Sequence, residues 1–152
     1  MQIRPATAAD REAVLALVPR LAECGTPPGR DRRQIEQVDL RSIAAALTAC
    51  APDSALLVAE AQARVLGFIQ VRTVVDYYTQ APIGHVSDVV VAAHAQGQGV
   101  GEALLQAAQD WASARDYRLM QLLVLPEDAA ARRLYERQGY RAEWLKYVRP
   151  LP

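Results

Sequence analysis

The sequence has none of the features that tie a protein to a nucleic acid or a membrane. Its 152 residues carry 17 Lys and Arg against 17 Asp and Glu, so the formal net charge is zero, whereas a dedicated nucleic-acid-binding domain usually has a strong basic excess. The stretches without charge are too short or too polar to span a bilayer, and the N-terminal residues lack the apolar core of a secretory signal. We therefore expect no nucleic-acid partner, no membrane partner and a cytoplasmic location.

Cysteine is also scarce. Cys24 and Cys50 show neither CxxC spacing nor the spacing of a metal site, and no cluster of His, Cys and carboxylate residues predicts a metal centre. Because no export signal is visible, we expect both thiols to be reduced. A buried, inert state is the first interpretation for both, and a reactive Cys24 in its loop rich in Gly and Pro is the alternative.

The rest of the composition is that of a folded domain. Hydrophobic residues make up 51% and charged residues 22%, which is ordinary for globular proteins and argues against disorder. A chain of this length buries roughly 70% of the surface that it exposes when unfolded. Since single domains cluster near this length, we expect one domain over residues 1–152.

Hydrophobic periodicity predicts one mixed α/β layer fold. Apolar and alternating runs predict strands at residues 2–4, 55–60, 65–74, 85–91, 119–125 and 140–148. Helical spacing predicts a helix from Thr7 that includes Leu21, and helices over residues 40–50, 99–115 and 129–138. Thr7-x-x-Asp10 resembles a capping box, and Gly and Pro mark loops at 24–29 and 76–82. The charge run at 30–33 is interpreted as a solvated turn or, alternatively, as the border of a ligand site.

The most informative stretch is a predicted strand that runs into the glycine-rich turn 96–101 (QGQGVG), with a helix after it. The first N–H groups of a helix lack intrahelical partners and lie at the positive end of its dipole. Glycines let an anion approach that backbone without meeting a Cβ, so the turn is typical of a pyrophosphate site. No Lys-Ser/Thr follows, as a P-loop requires, and the spacing is not GxGxxG. The alternative is a turn that only tightens a corner.

Two motifs make the sequence resemble the GNAT superfamily of N-acetyltransferases. Gln96, Gly99 and Gly101 match the pattern Q/R-x-x-G-x-G/A, and residues 125–140 are similar to the family segment N-x-x-A-x-x-L-Y-E-x-x-G-F/Y. The order of the predicted elements agrees over nearly the whole chain. The resemblance implies an α/β fold with a central, mostly antiparallel mixed sheet flanked by helices. It also implies transfer of an acetyl group from acetyl-CoA to an amine, with no metal.

The resemblance further implies which residues hold the cofactor. The backbone at Val89 and Val91 would pair with the pantetheine arm, as unpaired groups of a splayed sheet edge can, and would supply an N–H to the oxyanion. Plain core packing is the alternative for these two residues. Gly99 and Gly101 are the least replaceable, because a Cβ would occupy the phosphate space. The full set is Val89, Val90, Val91, Gln96, Gly97, Gln98, Gly99, Val100, Gly101, Asp128, Ala131 and Tyr135.

Asp128 departs from the family pattern, which most often has Asn at this place. Aspartate keeps the acceptor that a helix N-cap needs, but it loses the amide donor and adds negative charge near an anionic cofactor. We therefore expect an N-cap first and a cofactor contact second. Arg132 and Arg133 follow one turn later and are interpreted as solvated charges or, alternatively, as an offset to that charge.

Tyr135 is the first candidate catalytic residue. By resemblance it lies near the thioester sulfur and protonates the departing thiolate, a role that suits a phenol with a pKa of about 10. A core aromatic on an amphipathic helix, beside Leu134, is the alternative.

The general base is predicted from position along the fourth strand. His85 lies where some relatives carry a Glu or His, and its ordinary pKa of roughly 6.5 suits proton removal at neutral pH. Period-two alternation places His85 on the face of Ser87, Val89 and Val91. It places Asp88 on the opposite face, which makes Asp88 the weaker candidate. A structural histidine at the start of a strand is the alternative.

The acceptor is not identified by the sequence. Its walls are expected from the loops at 24–33 and 76–82 and from the last strands, and a small-molecule amine or a protein amino group fits equally. The resemblance also implies a homodimer. A non-catalytic acyl-CoA sensor is the first alternative function, and a nucleotide-binding regulatory domain is the second.

Overall fold

The computed structural model describes residues 1–49 and 51–152, so the expectations for the Cys50 thiol and for a helix end at Cys50 lie outside it. The strands are β1 (Gln2–Pro5), β2 (Ser54–Ala61), β3 (Arg64–Val75), β4 (Pro82–Val91) and β5 (Met120–Leu122). The helices are α1 (Arg11–Leu17), α2 (Arg32–Ala46), α3 (Val100–Ser113) and α4 (Ala129–Arg137). Short 3₁₀ turns cover Ala8–Asp10, Val18–Ala22 and Ala93–Ala95.

The strands form one sheet in the order β1-β2-β3-β4-β5. Neighbours are antiparallel from β1 to β4, and β5 runs parallel to β4. A parallel pair needs a crossover connection, and α3 supplies it. The expected mixed, mostly antiparallel sheet flanked by helices is therefore confirmed.

Each face of the sheet packs against its own helices. The α1–α2 face holds the buried cluster Val14, Val18, Ile43, Leu56, Val58, Phe68 and Val90. The α3–α4 face holds the buried cluster Ala59, Ile69, Val71, Val86, Ala92, Ala95, Val100, Leu104, Leu105, Ala108 and Tyr135. Phe68 and Ile69 are neighbours on β3 and go to opposite clusters, as strand alternation requires. Cluster membership therefore tells which face a strand residue occupies.

β4 contains an extra residue that changes this alternation. Val86 pairs with Val71 and Asp88 pairs with Gln70, so Ser87 lies in a β-bulge without a partner on β3. One inserted residue exchanges the faces of all residues after it.

The expected faces of His85 and Asp88 are therefore wrong. Val86 belongs to the cluster on the α3–α4 face, so His85 beside it faces α1 and α2. Beyond the bulge, Val90 belongs to the other cluster, so Asp88, two residues earlier, also faces α1 and α2. The bulge thus brings His85 and Asp88 to one face, opposite the side chain of Val89.

α2 begins at Arg32, earlier than the predicted Leu40. The Asp31 carboxylate accepts a hydrogen bond from the Gln34 N–H at 3.0 Å and so caps the helix. Arg32 then pairs with Glu36 one turn on, at 2.9 Å. The charge run at 30–33 is accordingly the start of a helix rather than a solvated turn alone.

The predicted helix from Thr7 to Leu21 is divided into a 3₁₀ turn, α1 and a second 3₁₀ turn. Its predicted start is confirmed, because the Thr7 N–H donates to the Asp10 carboxylate at 2.8 Å. The second 3₁₀ turn contains Pro19 near its start. Proline lacks the N–H that a continuous helix would need there.

The predicted strand at 140–148 is wrong, and β5 has three residues instead of the predicted seven. Pairing between β4 and β5 ends at Val86 and Leu122, and a strand without a partner is not stable by itself. Residues 141–152 have no regular structure, and all of them are exposed.

Candidate active site

The turn between β4 and α3 has the backbone of an anion cradle. Gly97 and Gly99 have φ of +73° and +77°, a left-handed conformation that favours glycine. α3 begins at Val100, directly after Gly99, so its first N–H groups open onto the turn. A Cβ built at either glycine meets no atom within 4 Å. The space above the turn is therefore open, and these residues fit a pyrophosphate.

The other residues of the turn have different surroundings. A Cβ on Gly101 would lie 3.0 Å from Leu134 Cδ2, so this glycine allows α3 and α4 to pack closely, and the expected reason for it, phosphate space, is wrong. Val100 is buried and offers only its backbone. Gln98 Nε2 donates to the His94 carbonyl at 2.8 Å, which braces the loop, and Gln96 is exposed.

The last part of β4 has a free edge. The Ala92 N–H donates to the Leu66 carbonyl at 2.7 Å, so Ala92 and Val90 direct their backbone groups toward β3. Val89 and Val91 direct theirs to the opposite side, where the pairing with β5 has already ended. These two residues therefore present the edge that the sequence predicted for a pantetheine arm, whereas Val90 does not.

Arg20 covers part of this edge, and sequence reasoning missed it. Its Nε donates to the Val91 carbonyl at 3.0 Å, and its Nη1 pairs with Glu23 at 2.9 Å. Arg20 lies 71 residues before Val91, and no local motif indicates the contact. A carbonyl oxygen has two lone pairs, so Val91 keeps one acceptor position.

Asp128 caps α4, as expected. Its carboxylate accepts a hydrogen bond from the Ala131 N–H at 2.9 Å, and Ala131 packs against the cluster on the α3–α4 face. Arg132 is exposed and donates to the Pro126 carbonyl at 3.2 Å, which steadies the loop before the helix. Arg133 is exposed.

Cys24 is exposed, so the expectation of a buried thiol is wrong for this residue. Local desolvation and the neighbouring Asp128 carboxylate both raise the pKa of the thiol. A raised pKa reduces the thiolate fraction, and the thiolate is the reactive form. This disfavours the alternative of a reactive Cys24.

Tyr135 lies in the buried cluster on the α3–α4 face, with its ring 6.1 Å from the ring of Tyr140. Burial, followed by the charge of Asp128, raises the pKa of Tyr135 to about 12. The phenol therefore holds its proton at neutral pH. The two interpretations of Tyr135, as a catalytic acid and as a core aromatic, are therefore compatible, because its side chain is buried and its phenol keeps a proton.

A group of polar side chains lies on the α1–α2 face around the bulge. Arg72 Nε donates to Ser87 Oγ at 3.1 Å, and Gln121 Nε2 lies 3.3 Å from His85 Nδ1. Gln70, the partner of Asp88 in the ladder, has a buried Oε1 with no hydrogen-bond partner among the described residues. A buried acceptor without a donor is costly.

The charges of this group act on one another. Burial, followed by the negative charge of Asp39 on α2, raises the pKa of Asp88 to about 6, and Arg72 opposes that rise. Burial, followed by the positive charge of Arg72, lowers the pKa of His85. Sequence reasoning missed Asp39 and Arg72, because α2 and β3 meet β4 only in the folded chain.

Two of the expected acceptor walls are linked by the chain after α4. Tyr78, in the loop between β3 and β4, stacks on Trp144 with the ring centroids 6.1 Å apart and the planes 7° apart. At Gly29, in the loop before α2, a Cβ would lie 3.0 Å from Pro150 Cγ. Residues 144–150 therefore pass from one loop to the other.

Among residues 1–49 and 51–152, no helix is long and apolar enough to cross a bilayer. Nor do three or more His, Cys, Asp or Glu side chains within them come together in a group that could hold a metal ion.

A family model described as the acetyltransferase (GNAT) family matches residues 18–140. The match includes β4, the glycine turn, α3 and α4, which form the site described above. The chain belongs to the GNAT family. The predicted family is thus confirmed.

This GNAT chain is similar to one bacterial protein in sequence and to solved structures in fold. It is 32% identical over 88 residues to the uncharacterized N-acetyltransferase YhfO of Bacillus subtilis strain 168, an alignment that covers 58% of this chain and 59% of that protein. A putative acetyl transferase from Pyrococcus furiosus superposes with a TM-score of 0.79 at 22% identity, over 99% of both chains. AAC(6′)-Iy, solved with the bisubstrate analogue CoA-S-monomethyl-acetylneamine, superposes with a TM-score of 0.73 at 21% identity, over 99% of this chain and 98% of that one.

Proposed function

We propose that this protein is an N-acetyltransferase that moves an acetyl group from acetyl-CoA directly to a primary amine. The observation that carries the proposal is that β4 ends in a free edge at Val89 and Val91 and leads into the open left-handed turn at Gly97 and Gly99. Amide pairing and anion binding are the two contacts that the arm and the pyrophosphate of coenzyme A require. Membership of the GNAT family supports the same function.

The chain's own residues divide the binding between them. The backbone of residues 97–101 at the start of α3 holds the pyrophosphate, and the N–H and C=O groups of Val89 and Val91 pair with the arm. Arg20 shares the Val91 carbonyl with the arm. The carboxylate of Asp128 stays with the Ala131 N–H, so it helps the cofactor indirectly, through the position of α4.

Acetyl-CoA, when bound, would supply a thioester: the amine nitrogen would add to its acetyl carbonyl carbon, the carbonyl oxygen would become an oxyanion, and the carbon–sulfur bond would then break to release the coenzyme A thiolate. Tyr135, whose phenol is protonated at neutral pH, gives its phenolic proton to the departing thiolate. A backbone N–H of the strand at Val89 and Val91 faces the oxyanion. The amine proton passes to a base on the α1–α2 face.

Asp88 is the base that the geometry favours. The bulge turns it toward the α1–α2 face at the point where β5 leaves β4. Its pKa of about 6 leaves a carboxylate at neutral pH with more affinity for a proton than an ordinary aspartate. His85 lies on the same face and is the second candidate. The carboxylates of Asp88 and Asp39 favour an acceptor that arrives as an ammonium ion, and Arg72 partly offsets their charge.

The first test is calorimetric titration with acetyl-CoA, with ATP and NAD as control ligands. One saturable site for acetyl-CoA alone is expected. A panel of primary amines is then screened by release of the coenzyme A thiol. Binding without turnover on any amine would indicate the acyl-CoA sensor instead, and no binding by folded protein would refute the proposal.

Tyr135→Phe tests the acid within that assay. Loss of the phenolic proton is expected to lower kcat by roughly 10²-fold, with the dissociation constant for acetyl-CoA within about twofold of the unmodified protein. Tyr117→Phe is the matched control, because its hydroxyl bonds Thr73 Oγ1 at 2.7 Å outside the proposed site. Unchanged kcat in Tyr135→Phe would remove Tyr135 from the mechanism.

A further inference from the structure

Two opposite charges lie side by side on the α1–α2 face without pairing. Arg72 is close enough to Asp88 to oppose the rise in its pKa that burial and Asp39 cause. The two side chains nevertheless form no ion pair in the part of the chain that the structure describes. Arg72 Nε donates to Ser87 Oγ at 3.1 Å instead. Since Ser87 lies in the bulge directly before Asp88, this bond holds the guanidinium beside the carboxylate and apart from it.

Both side chains keep free hydrogen-bonding capacity. The bond to Ser87 uses only Nε of Arg72, which leaves the N–H groups of both Nη atoms as a planar fork of the kind that binds a carboxylate. The Asp88 carboxylate accepts no hydrogen bond from residues 1–49 or 51–152. Gln70 Oε1 is the one fully enclosed polar side-chain atom without a partner among the described residues, so the Asp88 oxygens are still within reach of a ligand.

A second carboxylate faces this pair from α2. Asp39 is half-buried, and its negative charge acts on Asp88. Glu36, one turn earlier on α2, is already paired with Arg32 at 2.9 Å, whereas Asp39 forms no ion pair with a described residue. An ammonium ion that enters between α2 and β4 therefore meets two negative charges, with the guanidinium of β3 next to them.

This arrangement distinguishes between the acceptor classes that the sequence left open. A plain amine or a lysine side chain brings an ammonium ion without an anion, and the N-terminus of a protein has a neutral amide on the neighbouring carbon. A free amino acid carries its ammonium and its carboxylate on the same carbon atom. Its two charges thus lie close together, as do Asp88 and the guanidinium that is bonded to the residue before it.

We propose that the acceptor is a free amino acid, whose ammonium lies between Asp88 and Asp39 and whose carboxylate binds the Nη atoms of Arg72. This assignment rests on the N-acetyltransferase activity proposed above. Asp88 takes one proton from the ammonium and later passes it to water. The neutral nitrogen undergoes the addition and elimination already described and loses a second proton, which restores the one that Tyr135 gives to the thiolate. The products are an N-acetylamino acid and the coenzyme A thiol.

The first experiment compares matched acceptors on the full-length protein with acetyl-CoA. The common L-amino acids are screened by release of the coenzyme A thiol, and the best one is compared with its carboxamide and with its decarboxylated amine. Both analogues lack the partner of Arg72, so kcat/KM is expected to be roughly 10- to 100-fold lower for each. The carboxamide has a less basic amine and the decarboxylated compound a more basic one, so basicity cannot explain a loss in both. Equal kcat/KM for all three would overturn this proposal and leave the acetyltransferase in place.

Arg72→Gln tests whether this arginine recognises the carboxylate. It is expected to lower kcat/KM for the amino acid by roughly 10- to 100-fold and to change that for the carboxamide by less than about twofold. Arg72→Lys keeps the charge without the planar fork and is expected to give an intermediate value. Arg64→Gln, at an exposed arginine where β3 begins, is the matched control and should change neither. An equal loss with both acceptors would mean that Arg72 only supports the bulge, and it would overturn the proposal.

Calorimetry separates a failure of this proposal from a failure of the transferase. Amino acids and their carboxamides are titrated into the protein with and without coenzyme A, which has no acetyl group to transfer. Saturable binding of an amino acid is expected, with a dissociation constant roughly tenfold or more higher for its carboxamide and in Arg72→Gln. This pattern without acetylation of any amine would refute the transferase but support the amino-acid site. Acetylation of amines without binding of, or preference for, an amino acid would refute the site alone.

Discussion

Ser87 determines which face of the sheet the side chain of Asp88 occupies. It has no partner on β3, and its hydroxyl accepts the hydrogen bond from Arg72 at 3.1 Å. If Ser87 took a regular place in the ladder instead of forming a bulge, alternation would place Asp88 on the α3–α4 face, on the opposite side from Asp39 and Arg72. The pKa of Asp88, and its proposed role, therefore depend on a single inserted position.

At the same scale, the pH profile tests the base. Asp88 accepts a proton only as a carboxylate, and burial, followed by the charge of Asp39, raises its pKa to about 6, while Arg72 opposes that rise. Below that pH the fraction of carboxylate falls, so kcat/KM is expected to drop about tenfold per pH unit. Above it, kcat/KM is expected to level off. The measurement is kcat/KM for the best amine of the panel between about pH 5 and 8.

Two substitutions show whether Asp88 or His85 causes the fall of kcat/KM at low pH. Asp88→Asn is expected to remove the acidic limb and to lower kcat at pH 7 by about 10²-fold or more. His85→Gln is expected to keep the limb, because Asp88 remains. The opposite pattern, with the limb lost in His85→Gln and kept in Asp88→Asn, would assign the base to His85.

At the scale of elements, two glycines of the turn between β4 and α3 have different surroundings and serve different purposes. Gly99 is left-handed and faces open space, whereas a Cβ on Gly101 would meet Leu134 of α4. Gly99 therefore suits the proposed phosphate cradle. Gly101 sets how closely two helices approach.

Gly99→Glu is expected to abolish binding of acetyl-CoA while the protein stays folded, because the added carboxylate occupies and repels the phosphate position. Gly139→Glu is the matched control. Gly139 also has positive φ (+85°) and open space around its Cβ, but it lies at the end of α4. Both variants are expected to lose about 1 kcal/mol of unfolding free energy. Calorimetry and thermal melting measure the two effects, and acetyl-CoA affinity equal to the control would contradict this role for Gly99.

At the scale of the whole molecule, an ionic cluster joins the first strand to the rest. Arg4 of β1 binds the Asp10 carboxylate with two hydrogen bonds of 2.8 Å and also pairs with Glu60 of β2. Asp10 is buried. The bond from Arg4 is the main cause that holds the pKa of Asp10 well below its usual range. These contacts thus hold Asp10, at the start of α1, against the sheet.

Because of this cluster, the free energy of unfolding is expected to decrease as the pH falls. The lowered pKa of Asp10 means that its contribution is complete above the unfolded pKa of about 3.9 and is lost as the pH falls toward the folded value. Asp10→Asn is expected to lower the free energy of unfolding at pH 7 by about 2 kcal/mol. The difference between variant and unmodified protein should shrink as the pH falls below about 4.

Urea unfolding at several pH values measures this effect. Asp110→Asn is the control, because this exposed carboxylate on α3 bonds Gln106 at 2.9 Å; its substitution is expected to change stability by less than about 0.5 kcal/mol. An equal loss in both variants, or a loss in Asp10→Asn that persists unchanged at low pH, would contradict the role of Arg4.

The sequence alone was sufficient wherever the interactions are local. The glycine turn, the cap at Asp128 and the start at Thr7 each depend on atoms within a few residues, and each is present in the structure. The family was recognised from local motifs taken in order, and the mostly antiparallel mixed sheet was expected from that resemblance. Two motifs at the correct separation were enough, because each is a strand, turn or helix signal that does not depend on distant residues.

Sequence patterns were insufficient wherever distant residues meet. The bulge at Ser87 appears only when β4 is paired with β3, and it reverses the face of Asp88. The contact of Arg20 with Val91 and the effect of Asp39 on Asp88 join different layers of the fold. Residues 140–148 have the composition of a strand but no partner within the chain. A pattern predicts what a segment can form, but pairing and burial are properties of two segments together, so only the folded chain determines them.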